Sequence, residues 1–287
     1  MSSTDSVAFD LGGTKLLMHW KYQGKTYSEK IPTGATITTE QIKNACHDFI
    51  KRAPFTPKNV GIAVPGLVKD GELILADRRE NMHGLSEDML STEETRFHMI
   101  NDAKAAVYAE AEHYPKDTTL IVLVCGTGLG TGIKVNGTIL DGVHGWSSEC
   151  GHIPIHVVSK DENGMEKNEV IYADDLIGGA ALLKAIGTDP VTFHSMIDAK
   201  DPKALAVVEK GGYYFGLVMA NLINTFNPKY IVIGGSTSSY PGYLERAKEV
   251  AEKYALPPNW SDVEFRDPFD LQNIVVDGAA AFAHRFD

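Results

Sequence analysis

The sequence is short of positive charge, of cysteine and of long apolar runs, and each shortage removes a class of function. Its 287 residues carry 27 Lys and Arg against 38 Asp and Glu, a formal net charge of −11, which argues against nucleic acid as the main partner. Three cysteines, Cys46, Cys125 and Cys150, form no CxxC pair and read as reduced thiols. They offer no zinc-finger spacing with the ten histidines. The longest purely apolar run, LIVLVC at 120–125, is far too short to span a bilayer. The opening MSSTDSVAFD has no basic segment followed by an apolar stretch, so a cytoplasmic protein without membrane contact is expected. The usual nucleotide loops are missing too. GxxxxGK[ST] is absent, and GTGLGTG places Thr131 where GxGxxG needs its last glycine. No short-period repeat and no Ser/Pro-rich linker appear, which excludes a solenoid and leaves the domain boundary to be read from changes of unit.

What is present is a strand–glycine–strand device, used twice. VAFDL (7–11) reads as a buried strand, DLGGTK as a turn, KLLMHW as the return strand, and YSEKIPT as a third. TLIVLVCGTGLGTGIKVNGTIL (119–140) repeats that layout with different residues, and KYIVIGGS (229–236) is a further strand ending in a glycine pair. Between them lie a helix over 38–53, a strand 60–68 ended by Pro-Gly, a strand FHMIND (97–102) and an alanine-rich helix. EKNEVIYADDLIGGAALLKAI reads as entering a helix. A long helix follows at 203–227, with Leu205, Val208, Phe215, Met219, Leu222, Ile223 and Phe226 toward a core. NIVVDGAAAFAHRF is expected to close the chain as a strand and a helix. The pattern is α/β in two lobes, with a cleft between them as the natural ligand site.

Three glycine turns, each ending an apolar strand, are more than tight hairpins require. Glycine lets a backbone approach a ligand closely, and freed N–H groups suit phosphate. Asp10, beside the first turn, points to a bound cation or an activated water. Asp102 in IND reads either as a helix N-cap or as a base for an attacking hydroxyl, with Asn101 beside it to bind the same ligand. In WSSECGHIP, Glu149 and His152 read as solvated surface groups or as a pair suited to a polyhydroxylated ligand.

Taken together these motifs resemble the ROK family of sugar kinases and sugar-responsive repressors. The resemblance covers roughly residues 6–284 and implies the actin-like ATPase (ribonuclease H-like) fold, two lobes with a central cleft. DLGGTK resembles the first phosphate loop, VPGLV with Gly66 the Pro-Gly strand end, IND the catalytic Asn-Asp, and GTGLGTGI the second phosphate loop. ECGH resembles the sugar-binding Glu-x-Gly-His, and IVIGGS, with Gly234 and Gly235, the strand flanking adenosine. The resemblance implies an N-terminal lobe 1–115 and a C-terminal lobe 116–287, with the closing helix packing back on the first. Asp10 would serve the Mg²⁺ shell. Gly12, Gly13, Thr14, Lys15, Thr127 and Gly128 would line the phosphates of ATP, or of polyphosphate, which a zinc-less branch of the family uses. Asn101, Asp102, Glu149 and His152 would hold the sugar, Asp102 acting as base toward its 6-hydroxyl. Phosphoryl transfer needs mainly alignment and charge neutralisation.

Two departures stand out. Where the family carries a CxCGxxGC zinc cluster and then a second sugar carboxylate, this chain has IHVVSKDENGMEKNEVIYADDLIGG, so zinc is expected to be absent. The second carboxylate is Glu169 or Asp174. The Asn-Leu-x-Gly-Trp sugar loop is replaced by ENMHGL, which leaves Asn81 and Gly84 as a partial match. Glucose is the first choice of substrate, with N-acetylmannosamine or N-acetylglucosamine close behind. A sugar-sensing repressor and a non-catalytic sugar binder are the rival readings, and a homodimer is a family expectation.

Overall fold

In the computed structural model, residues 5–34, 36–75, 80–160 and 163–287 are described. The chain divides into two units of α/β structure. The first comprises residues up to Lys116, Thr138–Ser147 and Phe269–Asp287; the second comprises Asp117–Gly137 and Ser148–Pro268.

The first unit is built on a sheet of five strands in the order Lys25–Pro32, Lys15–Tyr22, Ser6–Leu11, Asn59–Val64, Arg96–Asn101. The first three pair antiparallel, and the last two run parallel to Ser6–Leu11. The hairpin register Leu11↔Leu16 confines the first glycine turn to residues 12–15. One face of the sheet packs on the helix Thr39–Arg52, which Thr38 opens with a reciprocal capping box to Gln41. Phe9 sits at the centre of that core, stacked on Phe97 at 5.7 Å and edge-on to Phe49 at 5.8 Å.

The closing segment corrects one expectation: NIVV is not a strand but the start of a helix, Ile274–Ala283. Three β-branched residues in a row favour a strand, but tertiary packing overrides that preference. The small residues that follow allow a helix to approach its neighbours backbone to backbone. A Cβ on Gly278 would lie 1.7 Å from the carbonyl oxygen of Ala105, and one on Gly61 would lie 1.9 Å from that of Ala279. Gly→Ala in a helix ordinarily stabilises, by roughly 0.5–1 kcal/mol. Here the sign reverses. Gly278→Ala is expected to destabilise the protein by about 1–3 kcal/mol, the scale of an overpacked core. An unchanged or higher urea midpoint for this variant would refute the close approach.

The second unit's strands Leu129–Val135, Leu120–Cys125, Tyr230–Gly234 and Glu264–Arg266 lie in that order, the first pair antiparallel and the others parallel. The long helix Pro202–Phe226 starts behind Asp201, whose carboxylate accepts from the Lys203 and Ala204 N–H groups. It buries Val208, Phe215, Met219, Leu222 and Ile223, while Leu205 and Phe226 are only half-buried. The stretch from Glu166 is a second correction. It forms a strand, Glu166–Tyr172, paired antiparallel with Pro154–Lys160, before short helices at Asp174–Ile177 and Gly179–Ile186. Ile155 and Val157 are buried at the two-residue spacing of a strand with one covered face. The three cysteines are buried and unbridged, and burial pushes the Cys125 thiol up to about 12.

Candidate active site

In the first unit Asp10 and Asp102 lie at the carboxyl ends of two parallel strands separated by a third, and Lys15 opens the antiparallel strand that returns beside Asp10. Asp10 lies near the end of Ser6–Leu11, opposite Ala63, and Asn101 ends the next parallel strand but one, opposite Val64. Ligands of open α/β sheets bind at this edge. Burial, and then the negative charge of Asp102, push the Asp10 carboxyl up to about 6, while Lys15 opposes them. The cap at the following helix, Asp102–Ala111, is one residue earlier than expected. Asn101 is the N-cap, its Oδ1 accepting from Lys104 N at 3.2 Å, and Asp102 is the first helical residue. The Asn101 amide also donates to the Gly66 carbonyl at 3.1 Å, so its side chain is oriented at both ends.

The glycine turn is braced from behind by Thr33, a residue that the sequence reading missed. Its buried hydroxyl donates to Gly12 O at 2.9 Å and its N–H to Thr14 O at 3.0 Å. Within the turn Gly12 N donates to Lys15 O at 2.8 Å, Gly13 is half-buried, and Thr14 and Lys15 are exposed. Asn81 is engaged elsewhere, donating to Ile37 O at 2.6 Å.

Lys104 was missed as well. It is buried two residues beyond Asp102, and its ammonium donates to Leu140 O (3.3 Å), Asp141 O (2.9 Å) and Ser147 Oγ (3.3 Å). The signal was a lone lysine in the alanine-rich AKAAVYA, where burial of its stem forces the charge to find oxygens indoors. The segment it holds carries Trp146, whose indole donates to Val68 O at 2.7 Å. Together with Gly66 and Asn101 these residues line a cavity of about 240 Å³. Lys104→Met leaves buried acceptors without this donor. It is expected to cost about 1–3 kcal/mol, read as a lower denaturant midpoint; an unchanged midpoint would show that the clamp contributes nothing.

In the second unit, the second glycine turn is held by its carbonyls. Gly126 O accepts from Gly179 N (2.8 Å) and Thr237 Oγ1 (2.8 Å), and Thr127 O accepts from Ala180 N (3.1 Å). Asp174 lies between this turn and the Glu149–His152 turn. A Cβ on Gly128 would come within 2.8 Å of its carboxylate, one on Gly151 within 2.5 Å, and Asp174 Oδ1 accepts from Leu129 N at 2.7 Å. Glu169 instead pairs with Lys167 at 2.7 Å on the hairpin. Glu149 and His152 are exposed side chains 3.9 Å apart. Gly235 follows the strand that Gly234 ends. It adopts φ +102°, and a Cβ there would fall 2.3 Å from Cys125 O, so glycine is required.

Strands, turns and acids in this arrangement define a two-lobed α/β protein of the actin-like sugar-kinase fold. Residues 6–286 match the ROK family. The glucokinase of Halalkalibacterium halodurans is 30% identical, with 93% of this chain and 91% of that protein aligned. The N-acetylmannosamine kinase of Shigella boydii is 28% identical over 85% of this chain and 87% of that one. In structure the chain is similar to a ROK family glucokinase from Streptomyces griseus, solved with glucose and AMPPNP, with TM-score 0.76, 21% identity and 98% and 99% of the two chains covered. The chain belongs to the ROK family. It is classed with that family's kinases, which are phosphotransferases. No helix among the described residues is long and apolar enough to cross a membrane, and no group of three or more His, Cys, Asp or Glu among them is placed to hold a metal ion.

Proposed function

We propose that this protein transfers the γ-phosphoryl group of ATP to the 6-hydroxyl of an aldohexose, with glucose the first candidate and N-acetylmannosamine or N-acetylglucosamine the alternative. The observation that carries the reading is the charge interaction of Asp10 with Asp102 at the carboxyl end of one sheet. Two carboxylates close enough for one to raise the other call for a cation, and Lys15 alone leaves the pair net negative. Those residues fit Mg²⁺ held through Asp10, and the glycine turns fit a phosphate chain. The bound ion would neutralise charge on the phosphates.

The remaining work falls to side chains of this chain. Asp102 takes the proton of the attacking hydroxyl. Asn101, fixed by Gly66 O and by its capping bond, presents its amide to the sugar. Gly12, Gly13, Thr14, Lys15, Thr127 and Gly128 line the phosphates, and Gly234 and Gly235 flank the adenosine. Glu149 and His152 read the sugar hydroxyls. For the second sugar carboxylate we choose Asp174 over Glu169, because it packs against both the second glycine turn and the Glu149–His152 turn, whereas Glu169 is paired with Lys167. The division of labour follows the lobes, 1–115 supplying the first phosphate loop and the base, 116–287 the second loop, the sugar pair and the adenosine strand. An antiparallel hairpin continued by parallel strands in each sheet supports the ribonuclease H-like type. The acidic charge supports a protein without nucleic-acid partners, and three scattered, buried cysteines support one without structural zinc.

A panel of aldohexoses and N-acetylhexosamines, each with Mg²⁺ and either ATP or polyphosphate, tests this by release of the sugar phosphate. One sugar should stand clear of the rest. Its 6-deoxy analogue should bind without giving product, since it lacks the nucleophile. If no sugar raises turnover above the buffer rate with either donor, the kinase reading fails.

A further inference from the structure

A second cavity, of about 350 Å³, lies in the first unit away from the candidate active site. Ser6, the first residue of the strand that later carries Asp10, lines it, as does Glu110 in the last turn of the helix that Asp102 opens. Eight residues of helix separate Asp102 from Glu110, about 12 Å along the axis.

Glu110 is 1% exposed. Its Oε1 accepts from Phe269 N at 2.8 Å, while its buried Oε2 has no hydrogen-bond partner among the described residues. A buried carboxylate oxygen without a donor is costly, and such atoms in folded proteins usually mark an absent partner. The surroundings say what kind. Glu112, Asp270 and Asp277 join Glu110 in lining the cavity, four carboxylates against the single ammonium of Lys21. That ammonium is already committed to Asp277, at 2.9 Å. Phe269 forms one wall. Its ring stacks on His113 at 3.8 Å and the residue remains 73% exposed. An acid floor, an acid rim and an aromatic wall are the elements that recognise an organic cation. The aromatic wall favours an organic ammonium over a metal ion.

We propose that this cavity binds a small organic cation, an alkylammonium whose charged head donates to Glu110 Oε2 while its chain lies along Phe269. The site is independent of the phosphoryl-transfer reading, and its test needs no turnover.

Isothermal titration of the full chain with 1,5-diaminopentane, beside the neutral isostere 1,5-pentanediol, tests it at pH 7.5. The diamine should bind saturably at one per chain and the diol should not. Glu110→Gln keeps the shape and removes the charge, and should weaken binding roughly 10–100-fold. Phe269→Leu, at an exposed position that does not endanger folding, should weaken it roughly 2–5-fold. A wild-type chain that shows no saturable heat overturns the proposal. So does a diol that binds as well as the diamine, or a diamine affinity that neither variant changes.

Discussion

Asp102→Asn is expected to lower the rate of sugar phosphorylation by roughly 10²–10⁴-fold, the range for a lost general base, while leaving the fold and most sugar affinity in place. The fold should survive because Asp102 is not the cap of its helix. That duty belongs to Asn101, whose Oδ1 accepts from Lys104 N. The amide of the variant still fills the same space and still reaches a sugar hydroxyl, so KM should move much less than kcat. One further readout separates loss of the base from general damage. Asp102 is the second cause of the raised Asp10 carboxyl, so removing its charge should bring the Asp10 titration down from about 6 toward the ordinary carboxylate range. A variant with near wild-type turnover sinks the assignment of the base. A variant that is inactive but leaves the Asp10 titration unmoved shows instead that the two carboxyls do not communicate.

The residues proposed for this site that stand out in the sequence are those with a rare local pattern. Two adjacent glycines after a buried strand, an Asn-Asp at the end of another, and Glu-x-Gly-His in a small-residue loop each stand out in one dimension. Residues that act by holding others do not. Thr33 braces the first glycine turn from the far end of the next hairpin strand, and Lys104 grips a segment 36 to 43 residues away in sequence. Nothing near Thr33 announces its partner, and the lone lysine in AKAAVYA announces a buried charge without saying which segment it grips. Packing was hidden for the same reason. Gly278 does not stand out in NIVVDGAAAFAHRF, and only the three-dimensional approach of Ala105 shows it to be the contact point between two helices. The choice between Glu169 and Asp174 also had to wait for geometry, because both are acids in a stretch where the family's usual pattern is missing. What favours Asp174 is two glycines, at 128 and 151, that leave room for its carboxylate.

Asp10→Asn should make the metal-free protein more stable at neutral pH and at the same time abolish metal-dependent turnover. The folded state holds the Asp10 carboxyl up at about 6 against an ordinary 3.8, chiefly by burial. At pH values below about 3 the group is protonated in both folded and unfolded chains and contributes almost no difference. As pH rises toward 6 the unfolded chain releases the proton first, so wild-type stability falls, and above 6 the loss is complete. The shift corresponds to about 3 kcal/mol at most, and partial exposure of the site brings the expectation to about 1–3 kcal/mol. Urea midpoints of wild type and variant in chelator should therefore coincide near pH 3 and diverge by pH 7, with the variant higher. Added Mg²⁺ should then raise the wild-type midpoint, since a ligand that binds only the folded state stabilises it, and leave the variant unmoved. If the variant is the less stable of the two at pH 7 without metal, the Asp10 carboxylate is not held at a cost. If Mg²⁺ raises both midpoints equally, the ion is held somewhere other than Asp10.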